Sequence, residues 1–264
     1  MDADRIPVYV VVPTYNEAQS ILVLLEEIFD LGIENIHVLI VDDNSPDSTA
    51  KVARRYAYNN GFSVAILDRP TKKGLGTAYV EGFKEVIQGL DGEEGFIVQM
   101  DADMSHSPSY LPSMIDLLAN NDVVVGSRYC QGGGSDEKWS LYRKGLSAGG
   151  NWAIQFISGL KVNDCTSGFK VFKSQVLKDI CWDEIHCSGF GFQIEIAMQC
   201  ESLGFTIQEY PIIFNDRVSG DSKMSIGIVL EAIFKIIFGR FKNFKKPRSL
   251  DLYLSKSERY MFRF

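Results

Sequence analysis

The sequence predicts an α/β fold with a mostly parallel sheet flanked by helices. Apolar, β-rich runs recur along the first half, separated by segments of helical periodicity. Those runs are continuous rather than alternating, as expected of strands buried on both faces of a sheet. At 264 residues and 45% hydrophobic content, with charges of both signs, the chain fits one large domain or two small ones and can bury a substantial core.

Taken in order, "VYVVVPT" (8–14) predicts the first strand. A helix is expected from Glu17, with Asn16 as N-cap, Gln19 three residues on, and Ile21, Leu24, Leu25 and Ile28 at helical spacing. "HVLIVDD" (37–43) predicts a second strand and "SVAILDR" (63–69) a third, with helices near Asp47 and from about Leu75. "FIVQMDA" (96–102) and "DVVVGSRY" (122–129) complete the strands of this half. The Gly-rich "YCQGGGSDEKW" (129–139) reads as a mobile loop. The remainder mixes helix and strand, with a helix around "FQIEIAMQCESLG" and a strand near "FTIQEYPIIF". Helices that start where strands end make the carboxyl edge of the sheet the expected ligand edge.

The composition excludes several classes. A formal net charge of −7 gives no global attraction to nucleic acid, so any basic patch must be local. The five cysteines show neither CxxC pairs nor the density of a small secreted scaffold, and read as reduced, buried thiols. "MDADRIPVYVVV" carries acid before its apolar run and is read as the start of the fold, not a signal peptide. No stretch reaches the ~18–20 apolar residues of a spanning helix. The nearest, residues 226–239, is interrupted by Glu231 and Lys235.

Asp101 and Asp103 in "QMDADMSH" carry the chemistry. At i, i+2 on a strand end both side chains point the same way, and two converging carboxylates repel unless a cation sits near them. Mg²⁺ or Mn²⁺ shared with substrate phosphates suits that pair. An isolated Asp-x-Asp can equally be an acidic turn capping a helix near Ser109. Neighbouring strand ends favour the ligand reading: "VDDNSPD" (41–47) brings another acidic pair, and "VVPTYNE" (11–17) brings Tyr15 and Glu17.

"VVPTYNE", "VDDNSPDS", "KKGLGTAYVEGF", "MDADMSHSP", "VVVGSRY", "DCTSGF", "GFGFQIEIA" and "FNDRVSGDSKMS" occur in the order seen in family-2 glycosyltransferases of the GT-A (Rossmann-like) fold. Over roughly residues 6–240 the chain resembles the dolichol-phosphate mannosyltransferases, of the kind without transmembrane helices of their own. The resemblance implies that Pro13, Tyr15, Glu17, Val41 and Asp43 hold the guanosine of GDP-mannose, and that Asp101 and Asp103 hold Mg²⁺ or Mn²⁺ on its diphosphate. It assigns Arg128, Arg217 and Lys223 to phosphate groups, with Arg217 and Lys223 beside the acidic pair in catalysis. Ser105 stands where some members carry Gln. Ala148 stands where the family has an arginine linked to the acceptor phosphate, and Lys144, four residues earlier, reaches the same space if that segment is helical.

The implied acceptor, dolichyl phosphate, is a phosphate monoester with a second pKa near ~6 and needs no general base. His37, His106 and His186 are therefore read as structural. Gln193 and Glu195 face the acceptor or, on a helix, diverge; Trp139 borders the lipid entrance or packs in the core. Two alternatives stay open: UDP-glucose with a polyprenyl phosphate, and a catalytically silent nucleotide-sugar-binding subunit. The domain plan is a catalytic domain over 1–224, an amphipathic interfacial helix and basic segment over 225–248, and a tail over 249–264. The amphipathic face would lie on the membrane surface or on the protein's own core. Small membrane-spanning subunits are possible partners. The expected location is peripheral, on the cytoplasmic face of a membrane, that of the endoplasmic reticulum in a eukaryote.

Overall fold

The computed structural model describes residues 6–187, 189 and 191–216. Arg217, Lys223, the 225–248 helix and the 249–264 tail lie outside the described residues.

β1 (Val8–Thr14), α1 (Ser20–Phe29), β2 (Ile36–Asp42), α2 (Thr49–Asn60), β3 (Val64–Asp68), α3 (Leu75–Gly89) and β4 (Phe96–Gln99) follow the alternation the sequence predicts. After them come α4 (Leu111–Asp116), β5 (Val123–Ser127), β6 (Gly134–Ser135) and α5 (Leu141–Ser158). The described chain finishes with β7 (Lys170–Lys173), α6 (Ser174–Asp179), α7 (Gly191–Ser202), β8 (Ile207–Pro211) and β9 (Ile213–Phe214).

Seven strands form one sheet in the order β3-β2-β1-β4-β7-β5-β8. All pairings in it are parallel except those of β7, which runs antiparallel between β4 and β5. The sequence reading did not separate β7, because "KVFK" is too short to show a period and follows a glycine turn. Successive residues of β1 and β2 are buried on opposite faces. Val10, Val12, Val38 and Ile40 pack with Ile21, Leu24, Leu25 and Ile28 of α1, whereas Val11, Leu39 and Val41 pack with Tyr79, Phe83 and Val86 of α3. α3 approaches closely because Gly82 meets the sheet: a Cβ there would lie 2.6 Å from Val11 Cγ1 and 2.9 Å from Val41 Cγ2.

Three local expectations are corrected. Asn16 is not an N-cap; it adopts a left-handed φ of 61°, α1 begins at Ser20, and the Ser20 hydroxyl donates to Glu17 Oε2 at 2.6 Å. The Gly-rich loop is tied down, because β6 within it pairs with β9 and the amides of Gly134 and Asp136 donate to the Ile212 and Phe214 carbonyls. β4 stops at Gln99, so Asp101 and Asp103 stand in the turn beyond the strand rather than on it, and the i, i+2 argument does not set their directions. None of the five cysteines is in a disulfide: Cys165, Cys187 and Cys200 are buried, Cys130 and Cys181 half-buried.

Candidate active site

The carboxyl ends of β1 and β2 are laced together. Thr14 Oγ1 donates to Asp42 Oδ1 at 2.8 Å, the Ser45 amide and hydroxyl also donate to Asp42, and the Asn16 amide donates to Ser45 Oγ at 3.0 Å. The Glu17 amide donates to Thr49 Oγ1, and that of Ala18 to Asp47 Oδ2. Burial opposes ionisation of Asp47, yet the donors from Thr49 and Ala18 hold its carboxyl below the usual aspartate value. These bonds fix Pro13, Tyr15, Glu17 and Val41 along one edge. They also divide the second acidic pair: Asp42 is consumed by the turn, while Asp43 is engaged by Arg69.

Arg69 ends the "SVAILDR" run, which carries no motif that marks it as part of a site. Its side chain is 1% exposed, and its guanidinium donates to Asp43 Oδ1, to Glu81 at 3.0 and 3.2 Å, and to Thr77 Oγ1 at 2.7 Å. This clamp fixes Asp43 with its charge compensated. Lys72, from the "KKGLG" stretch, places its ammonium 3.4 Å from the Tyr15 ring centroid, a cation–π contact.

Asp101 and Asp103 are each held by protein donors. Tyr79 Oη donates to Asp101 Oδ1 at 2.8 Å; the Ser105 amide and hydroxyl donate to Asp103 Oδ1 at 3.1 and 2.5 Å. Ser105 therefore orients Asp103. His106, as expected, is structural: Nδ1 accepts from the Asp101 amide at 3.4 Å, and the ring stacks on Phe169 at 5.2 Å. Burial pushes its pKa down despite the pull of Asp101 and Asp103, with Arg128 and Lys170 adding to the lowering. Neutral His106 thus carries its proton on Nε2.

The donor set fits a hard divalent cation. Among the described residues no three His, Cys, Asp or Glu side chains group to hold a metal, so Asp101 and Asp103 would supply carboxylate oxygens and the remaining positions would fall to ligand and solvent. Gly168 keeps the space beside Asp101 open: a Cβ there would lie 3.2 Å from Asp101 Oδ2 and 3.3 Å from His106 Cε1.

Arg128 is not a lone cation. Its Nε and Nη2 form a fork on Asp164 at 2.7 Å each, and Nη2 reaches Thr166 Oγ1 at 2.7 Å. Both partners are almost wholly buried. Burial opposes ionisation of Asp164, but Arg128 and its hydrogen bonds win and hold the carboxyl below its usual value. The guanidinium also lies 5.0 Å from the Tyr129 ring and 5.3 Å from that of Phe214. The resemblance assigns Arg128 to phosphate; the structure shows it in an ion pair with Asp164, the first residue of "DCTSGF".

Lys144 lies in α5, so the helical condition for its relation to Ala148 is met. Gln193 and Glu195 diverge on α7: Gln193 points into the core, while Glu195 Oε2 accepts the amides of His186 and Cys187 at 3.0 and 2.9 Å. Trp139 is buried and packs edge-on against Phe214, with Arg143 3.7 Å from its ring. Asn215 donates its amide to Ser105 O at 3.1 Å, and Asp216 pairs with Arg143 at 3.1 Å. The outer face of α5 exposes Leu141, Tyr142, Leu146, Trp152 and Phe156, the last two stacked at 5.8 Å. Among the described residues no helix is long and apolar enough to cross a membrane.

A mostly parallel sheet flanked by helices, with an acidic turn at its carboxyl edge, is the architecture of the GT-A class of glycosyltransferases. The chain belongs to glycosyl transferase family 2, whose model matches residues 9–181. It is 38% identical over 229 residues, 87% of this chain and 92% of the relative, to an undecaprenyl-phosphate mannosyltransferase of Micrococcus luteus. It is 35% identical over 228 residues, 86% of this chain and 84% of the relative, to a polyprenol monophosphomannose synthase of Mycolicibacterium smegmatis. Two solved structures share its fold. One is a mannosyltransferase from Pyrobaculum calidifontis in complex with GDP-Man and Mn²⁺, with TM-score 0.61 and 17% identity over 93% of this chain and 67% of that one. The other is a glucosyl-3-phosphoglycerate synthase from Mycobacterium tuberculosis in complex with Mn²⁺, UDP-glucose and phosphoglyceric acid, with TM-score 0.62 and 16% identity over 89% of this chain and 80% of that one.

Proposed function

We propose that this chain transfers mannose from GDP-mannose to a polyprenyl phosphate, dolichyl phosphate in a eukaryote, with inversion at the anomeric carbon. The observation that carries the reading is the near full-length likeness, at 35–38% identity, to two transferases named for polyprenyl-phosphate mannose chemistry. Of the residues assigned by resemblance, Pro13, Tyr15, Glu17, Val41 and Asp43 share the β1–β2 edge, which supports their role in holding the nucleoside. Asp43, locked by Arg69, would accept from the N–H groups of a base.

Asp101 and Asp103 would hold Mg²⁺ or Mn²⁺, which when bound neutralises charge on the departing diphosphate. Tyr79 and Ser105 keep the two carboxylates oriented before any ligand arrives, so the site need not reorganise during the reaction. Arg217 and Lys223, outside the described residues, are assigned to phosphate oxygens by the resemblance. The acceptor phosphate attacks from the far side of the sugar as GDP leaves. The attacking oxygen is already ionised at neutral pH, which accords with His106 being neutral, buried and bonded to the backbone of Asp101. The exposed aromatic face of α5 supports peripheral seating on a lipid surface, where the acceptor headgroup lies.

The test is to incubate the full chain with Mn²⁺ and polyprenyl phosphate in liposomes, supplying either GDP-mannose or UDP-glucose, and to identify the lipid product by mass spectrometry. Mannosyl-phosphoryl lipid from GDP-mannose alone is expected. Glucosyl lipid, or no lipid product from either donor, overturns the reading.

A further inference from the structure

Lys170 opens β7, opposite Gln99 of β4 and Val125 of β5. Its side chain is 1% exposed, and an ammonium stripped of water must be compensated by protein dipoles or charges. Nζ donates to the Ser167 carbonyl oxygen and to Gln193 Oε1, the latter at 2.7 Å. Gln193 Oε1 also accepts from Gln99 Nε2 at 2.6 Å, and the Gln99 amide donates to the Gly168 carbonyl at 3.1 Å. Lys170 of β7 and Gln99 of β4 thus donate to the two carbonyls of the Ser167–Gly168 turn, and Gln193 of α7 accepts from both donors.

That turn forms one wall of the acidic site, since Gly168 packs against the Asp101 carboxylate and the His106 ring. An apolar residue at the depth of Lys170 would avoid the desolvation of a charge. Burial does lower the Lys170 pKa, to about 8, against the opposing pull of Asp164, Cys200 and Asp101. The ammonium nevertheless supplies the donor to the Ser167 carbonyl, as Gln99 does to that of Gly168.

We propose that Lys170 is a positioning residue for Asp101: it holds the Ser167 carbonyl directly and, through the Gln193 oxygen it shares with Gln99, braces the donor to the Gly168 carbonyl, so pinning the turn that sets the space where a divalent cation on a nucleoside diphosphate is received. The inference rests on the assignment of Asp101 to a metal and adds a residue from outside the ligand-facing edge. It explains why an amide pair and a lysine lie buried beneath an acidic turn.

The experiment measures Mn²⁺ binding by the free-ion electron paramagnetic resonance signal, with GDP present, for wild type, Lys170→Met and Gln193→Leu. Circular dichroism melts check the fold, and a GDP titration without metal reads the β1–β2 edge independently. Lys170→Met should weaken Mn²⁺ binding by about tenfold or more, Gln193→Leu by less, and metal-free GDP affinity should move by under about twofold in both. A folded Lys170→Met with Mn²⁺ affinity within about twofold of wild type overturns the proposal. Equal losses of Mn²⁺ and metal-free GDP affinity, which would mean a general loosening, also overturn it. If Lys170→Met does not fold, Gln193→Leu decides by the same criteria. Wild type that binds no Mn²⁺ with GDP or with UDP brings down the metal assignment itself, an outcome distinct from failure of the variants.

Discussion

Tyr79 and Asp101 are joined by a single hydrogen bond of 2.8 Å, from a ring with no exposed surface to a carboxylate at the edge of the site. The ring is locked between Phe83, at 5.7 Å, and Phe192, at 5.9 Å. Burial and the nearby Asp101 and Asp103 charges push the phenol's pKa well above its ordinary value, so Tyr79 remains a donor at every physiological pH. Tyr79→Phe removes only that hydroxyl, and about 1 kcal/mol of stability with it. Metal-dependent activity should need about tenfold more Mn²⁺ for half-saturation, with maximal rate largely retained. A metal titration of initial rate checks this.

Ser105→Ala should act more mildly than Asp103→Ala. The serine supplies two donors to Asp103 Oδ1, of which the backbone amide survives the substitution. Transfer should be abolished in a folded Asp103→Ala and reduced by about tenfold in Ser105→Ala. Rates at saturating Mn²⁺ separate the two, and wild-type rates insensitive to EDTA would contradict the metal assignment.

Asp164→Ala would leave the Arg128 guanidinium buried without its carboxylate, at an expected cost of about 3–5 kcal/mol. The folded-state pKa of Asp164 lies below its unfolded value, so its contribution is fully present above the ordinary aspartate range and fades as the pH falls through the folded value. Denaturant melts at pH 7 should show the full deficit of the variant, and melts near pH 3 a smaller one.

Lys170 titrates with the opposite consequence. Burial lowers its pKa from 10.5 to about 8, so between those values the unfolded chain binds a proton that the folded chain does not. The stability of wild type relative to Lys170→Met should therefore rise as the pH is taken from 8 to about 10, while below 8 the penalty of the buried charge is at its maximum. Paired thermal melts of the two proteins cancel every other group that titrates in that range.

Lys144→Ala should raise the Michaelis constant for polyprenyl phosphate by about tenfold and leave that for GDP-mannose nearly unchanged, if the ammonium meets the acceptor phosphate one helical turn from Ala148. Equal, small changes in both constants would make Lys144 a solvated charge.

The parallel half of the sheet was legible because each strand is a long apolar run punctuated by a polar turn. The sites on its edge were legible because polar residues there sit against such runs. What remained hidden depends on pairing across the sheet. Nothing local in "SVAILDR" says that Arg69 turns inward to Asp43, and nothing in "GSRY" says that Arg128 meets Asp164, 36 residues on. A lysine in "SGFKVFK" reads as solvent-facing until the register sets it opposite Gln99. The strand end assumed for Asp101 and Asp103 failed for a local reason: the strand stops at Gln99, a turn begins at Ala102, and Met104 takes a left-handed φ of 64°.

β7 has a consequence for the order in which the molecule assembles. β3, β2, β1 and β4 pair in parallel within the first 99 residues, but β5 and β8 join them only through β7, which comes after α5. The sheet is two rafts until residues 170–173 zip between them, a late event by the cost of closing long loops. A newborn chain that has made only its first raft would have the nucleoside edge without the wall behind Asp101. Pulse-labelled hydrogen exchange during refolding should protect the amides of Val10 and Val38 before that of Val171.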